Sequence, residues 1–176
     1  MKLHDLNKLL EDPNLLNQKI NEFLEEETLK KQVIAQPEIQ GHMEKATHNL
    51  NFIKDNIKLD YLDWAITGCY YAAYHAALAI ILTKGYYSKN HLATLCILIK
   101  EFYKQELAKE DLELLAKFLD YQDVLFYVES KNKRENATYS TKRTFDQKEV
   151  EQLRIKAVLF VNKVEQILKN LSKQPQ

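Results

Sequence analysis

Apolar residues recur at three- and four-residue steps along most of the chain, the spacing of helices with one buried face. Leu3, Leu6, Leu9 and Leu10 form a first stripe, and Leu16, Ile20, Phe23 and Leu24 a second. Pro13 between them suits a first helical position, with Asp12 as its cap. The two stripes predict a helical N-terminal segment from Lys2 to about Ala35, richer in acids than in bases, which Gln36-Pro37 brings to an end. A helix from about Glu38 to Ile57 follows, marked by Met43, Ala46, Leu50, Ile53 and Ile57. Asp60 is the expected cap of a long apolar helix that runs to Lys84-Gly85, where glycine supplies a left-handed stop. Ser88 is the expected cap of the next helix, with Leu92, Leu95, Cys96, Ile99 and Phe102 on its apolar face. Another is predicted from about Glu110 to Val128 through Leu112, Leu115, Leu119, Leu125 and Phe126. The last is predicted to start at a capping box, Thr144-Phe145-Asp146-Gln147, and carries Val150, Leu153, Ala157, Phe160, Val161, Val164 and Ile167 on one face.

Short connections join all but one pair of these helices, as antiparallel neighbours require. The expected fold is therefore all-α, an up-and-down antiparallel helical bundle over residues 37–172 with an acidic helical extension over 1–36. Composition agrees. The chain has 176 residues, enough for one domain with a substantial core, and only 3 Gly and 3 Pro, too few turn formers for a β-sandwich. Hydrophobic residues at 45% and charged residues at 28% exclude a disordered chain. From Trp64 to Leu82 no acid, Lys or Arg occurs, a stretch of about the length a bilayer demands. Its interior holds Tyr70, Tyr71, Tyr74 and His75, however, and tyrosine belongs at the headgroups of a membrane span. The expectation is a helix buried on all sides within the bundle, and no membrane. Cys69 and Cys96 lie in apolar runs and read as buried free thiols of a reducing compartment. The first residues build no apolar signal core, so the expected location is cytoplasmic.

Lys plus Arg number 25 and Asp plus Glu number 25, so no overall field draws the protein to nucleic acid. Any phosphate contact must be local. His75 reads first as a core histidine bonded to a neighbouring carbonyl or tyrosine. His91, with Lys89 nearby, stands at a helix start whose backbone donors could hold a phosphate, or could be capped in the ordinary way. The long polar connection from Glu129 to Arg143 carries Lys131, Lys133 and Arg134, with Tyr139 just beyond. Arginine can clamp a phosphate with its planar fork, and tyrosine can stack on a base. The usual reading of such a run is a solvated loop. No His-x-x-His spacing or Cys-x-x-Cys pair points to a metal, and no glycine-rich loop points to a cofactor. The apolar setting of both cysteines disfavours a thiolate nucleophile.

Three segments carry a resemblance to the HEPN-domain family over about Gly41 to Leu171. Tyr70-Tyr71-Ala72-Ala73-Tyr74-His75-Ala76-Ala77 resembles the family's Tyr-Tyr-Ala-x-x-His-Ala-Ala helix. Gly85 with Ser88-Lys89-Asn90-His91 resembles its Gly-x-x-x-Lys-x-His turn. Arg134-Glu135-Asn136-Ala137-Thr138-Tyr139 resembles an Arg-x-x-Ala-Asp-Tyr signature of one branch of the family. Ribonucleases of the family carry Arg followed after four to six positions by His. Tyr139 stands there in this chain, and no His follows His91. Where some family toxins carry a modified tyrosine, this chain has Thr141.

The resemblance implies a HEPN-type bundle, a homodimer in which two Arg134 loops meet across the two-fold axis, and a nucleotide or RNA as ligand. It also implies a small nucleotidyltransferase as a partner, in a toxin–antitoxin-like pair. The expected ligand contacts are Arg134, Tyr139, Lys131, Lys133, His91, Lys89 and His75, without metal or cofactor. Two rival expectations stand beside this one. The first is a metal-independent ribonuclease using Arg134 and Tyr139, and the second is an interaction module whose acidic N-terminal helices recruit a partner.

Overall fold

The computed structural model describes residues 3–119 and 146–173. Seven helices and one two-stranded antiparallel ribbon make up the described part. Helix α1 spans Leu3–Glu11 and α2 Pro13–Glu25; strand β1 is Leu29–Lys31, and α3 spans Gln36–Lys58. Helix α4 spans Leu62–Leu82, strand β2 is Tyr86–Ser88, and α5 spans His91–Phe102. Helix α6 is described over 109–119, and α7 spans Gln147–Leu171. The fold is all-α in class, and the ribbon is its only sheet among the described residues.

Helix α4 forms the axis of the bundle, packed by α3, α5 and α7. Its small residues Ala65, Ala72, Ala73, Ala76 and Ala77 are fully buried and let these neighbours approach. Gly68 sets the closest approach: a Cβ there would lie 2.7 Å from Ile53 Cγ1 and 3.1 Å from Phe52 Cδ1 on α3. The helix is long and apolar enough to cross a bilayer, and burial in the bundle accounts for most of that character. The expectation that it is covered on all sides does not hold. Tyr61, Trp64 and Tyr71 are exposed along one side, because no described element packs over that stripe.

Several local expectations stand. Asp12 Oδ1 accepts from the amides of Asn14 and Leu15, capping α2 behind Pro13. Gly85 takes a positive φ of 71° after α4, and its carbonyl accepts from the Gln32 amide. A Cβ at Gly85 would lie 2.9 Å from the carbonyl oxygen of Gln32. Others fail. The segment to Ala35 is not helical throughout: the chain leaves α2 through Glu27 at a positive φ and pairs β1 with β2, Leu29 opposite Ser88 and Lys31 opposite Tyr86. Asp60 is not a cap; it takes a positive φ of 62°, and Tyr61 occupies the cap position of α4. Ser88 ends β2 instead of starting a helix, and Asn90 caps α5 through Oδ1, which accepts from the amides of Leu92 and Ala93. Helix α7 has Asp146 in its cap position without a side-chain cap bond, and Thr144, the expected start of the capping box, lies outside the described residues.

The N-terminal helices belong to the main core. Leu6, Leu9, Leu16, Ile20, Phe23 and Leu29 share one apolar cluster with α4, α5 and α7. Helices α1 and α2 lie against α5, and the ribbon fastens β1 to the turn before α5.

Candidate functional site

The turn from β2 into α5 places Lys89, Asn90 and His91 together. Ser88 Oγ bonds to the Asn90 carbonyl at 2.8 Å, the Asn90 side chain caps the helix, and the Lys89 amide donates to the Thr28 carbonyl at 2.9 Å. The backbone of this turn is thereby fixed from both sides, and the Lys89 side chain is exposed. Ordinary capping is thus what the first helical amides do, since the Asn90 carboxamide already takes two of the donors that a phosphate would need.

His91 is half-buried and held by tyrosines of α4. Tyr70 Oη lies 2.8 Å from Nε2 and 2.9 Å from Nδ1, so the hydroxyl can donate to whichever ring nitrogen lacks a proton. The ring of Tyr74 stands 4.2 Å from that of His91, centroid to centroid. Burial lowers the His91 pKa, so the ring is neutral near pH 7. The same burial raises the phenol pKa of Tyr70 and Tyr74, which keeps both hydroxyls as donors.

Beside this turn lies a cleft of about 660 Å³. Lys89, Asn90, His91 and Leu92 form its α5 side, Leu119 closes it from α6, and Asp5, Lys8, Leu9, Leu15 and Lys19 come from α1 and α2. Leucines line the interior, and lysines stand around the rim. Lys19 is committed in part, with Nζ 2.6 Å from Glu22 Oε2. An apolar body carrying negative charge fits this arrangement, the leucines taking the body and the ammonium groups the charge.

His75 is elsewhere. It faces α3, where its Nδ1 lies 2.9 Å from Nδ1 of His42, and the two rings stand 5.2 Å apart. Its partner is thus another imidazole, and neither the carbonyl nor the tyrosine hydroxyl expected for it. The structure brings Lys89 and His91 into one site and leaves His75 outside it. Arg134, Tyr139, Lys131 and Lys133 lie outside the described residues. Among the described residues no group of three His, Cys, Asp or Glu converges as metal ligands would. Cys69 and Cys96 are buried free thiols whose pKa is pushed up to about 12 by burial, which leaves no thiolate for chemistry. Lys8 and Lys19 escaped the sequence reading because an amphipathic helix normally carries lysine on its wet face, and only packing shows that this face borders a cleft.

A family model described as HEPN domain matches residues 39–167, most of the chain. The chain belongs to the HEPN family. No curated protein matches it. The HEPN match begins within α3 and ends within α7, so Lys89 and His91 fall inside it while α1, α2 and β1 fall outside. The cleft therefore lies where the HEPN domain meets a segment outside the match.

Proposed function

We propose that this HEPN protein binds a nucleotide or an RNA phosphate at the start of α5, as a binding module and not a nuclease. The observation that carries the reading is the cleft itself: a leucine-lined space rimmed by Lys8, Lys19 and Lys89, with neutral His91 presented by Tyr70. With Tyr70 donating to one ring nitrogen of His91, the N–H of the other donates a hydrogen bond to a phosphate oxygen, and Lys89 supplies a mobile point charge. Arg134 and Tyr139 are proposed to add contacts on the strength of the family resemblance, with Lys131 and Lys133 as positioning charges. A homodimer and a nucleotidyltransferase partner belong to the same proposal.

Binding of labelled RNA and of nucleotides to the full chain tests it. Lys89→Ala is expected to weaken affinity about tenfold at low salt, and the affinity of the natural chain for RNA should fall as salt rises, because bound counterions are released. Unchanged affinity in Lys89→Ala would remove the cleft from the reading. Incubation of the same RNA in EDTA separates binder from enzyme. A tyrosine of ordinary pKa, about 10, is about one part in a thousand ionised at pH 7, so Tyr139 makes a poor general base. No cleavage is expected. Robust cleavage lost in Arg134→Ala would make the protein a ribonuclease.

A further inference from the structure

We infer that the N-terminal helices, which lie outside the HEPN match, turn the cleft into a site for nucleoside polyphosphates; this rests on the reading that the cleft takes nucleotide phosphates. The HEPN side alone offers Lys89 and His91, enough for one phosphate group. Helices α1 and α2 add Lys8 and Lys19 across the same space. Cations contributed from both sides of a cleft suit a chain of successive negative groups better than a single one, because each further phosphate meets a further charge. The volume of this open cleft, about 660 Å³, lies within the range of about 300–1,000 Å³ usual for small-molecule sites. Leu9, Leu15 and Leu92 offer apolar surface to a base.

The added wall is fixed in place. Leu6, Leu9, Leu16 and Ile20 anchor α1 and α2 in the common core, and the Thr28 carbonyl binds the Lys89 amide, so the two sides of the cleft are tied at its edge. Charge is also tuned within this wall. Glu22 accepts from Lys19 at 2.6 Å and from Gln18 at 3.0 Å, which draws the Lys19 ammonium away from any ligand. Asp5 lies on the same lining and opposes anions. The wall thus holds Lys8, with Asp5 one turn away on the same helix, and Lys19, which removal of Glu22 would release.

Calorimetric titration of the full chain with adenosine triphosphate, adenosine monophosphate and inorganic triphosphate, at low salt without added divalent cation, reads this directly. The natural protein is expected to bind the nucleoside triphosphate at least about tenfold more tightly than either the monophosphate or inorganic triphosphate, since only it combines base and charge chain. Lys8→Ala should cost about tenfold with the triphosphate and less than about twofold with the monophosphate. Glu22→Gln should tighten triphosphate binding by about two- to threefold, a gain that a damaged fold would not produce. Lys169→Ala, on the far end of α7 and paired with Glu165, serves as the silent control. Loss in Lys89→Ala with no change in Lys8→Ala or Glu22→Gln would overturn the role of the N-terminal helices and leave the cleft reading standing. Absence of saturable binding by every one of these ligands, and by the labelled RNA, would overturn both.

Discussion

Two imidazoles facing each other at hydrogen-bond distance tie acid stability to single side chains. Burial lowers the pKa of both His42 and His75, and the proximity of His42 and Lys45 lowers His75 further, to about 4; Glu38 acts on His42 in the opposite sense. A base whose folded pKa lies below its unfolded value stays neutral in the fold while the unfolded chain takes up protons. Stability is therefore complete above about pH 6.5 and declines as pH falls from there toward about 4. Both rings are half exposed, so water screens the effect to about 1 kcal/mol. Urea unfolding at pH 7.5 and pH 5 should show that decline in the natural chain and a shallower one in His75→Gln. Equal declines would assign the acid sensitivity to other groups. His75 could be singled out from the sequence, but His42 could not. A contact between helices depends on how each is rotated about its axis, and apolar spacing fixes that rotation only to within a broad face.

Among the elements, helices were legible and their ends less so. The stripes of α3, α5 and α7 place each helix near its observed bounds, because a buried face must repeat with the helical period. A three-residue strand has no period to read, and β1 and β2 went unseen for that reason. Once β2 runs through Ser88, the first free capping position is Asn90, and both residue types cap equally well in isolation. Asn90→Ala is accordingly expected to destabilise the protein by about 0.5–2 kcal/mol, read as a lower urea midpoint with unchanged slope. Because the cap also fixes the turn that carries Lys89 and His91, the variant should bind nucleotide less well even where it is fully folded. A loss of stability with unchanged binding would show that the turn is held by the ribbon alone. The candidate site was half legible. Lys89 and His91 stand in a recognisable turn, whereas Lys8 and Lys19 reach the cleft only through tertiary packing.

At the scale of the molecule, the uncovered side of α4 calls for a neighbour. Trp64 is 60% exposed and Tyr61 58%, and with Phe52 and Asn56 they border a groove of about 370 Å³; Leu59, just before α4 in the chain, is 65% exposed. Large apolar groups gathered on one face are unusual on a monomer and common where a second chain docks. The proposed homodimer is expected to use this face. Sedimentation at micromolar concentration should give a dimer for the natural chain and a folded monomer for Trp64→Glu. A natural monomer would remove the meeting of two Arg134 loops from the proposal. The family and class were readable because many residues vote on them, while the exposed stripe was not: apolar residues on all faces of a helix do not say which face its own chain leaves bare.

The ribbon between β1 and β2 also dictates an order in time. Leu29 pairs with Ser88, and all of α3 and α4 lie between them in the chain. As the polypeptide leaves the ribosome at about 5–20 residues per second, α1, α2 and β1 are made before α3 and α4 and meet β2 and α5 only after these have followed. Through that interval their leucine faces are open to water and to other nascent chains. Closing so large a loop costs entropy that only the finished interface repays. Docking of the N-terminal helices is thus a late step of folding, and the lysines they bring to the cleft arrive with them. Helices made before α5 settle only after it.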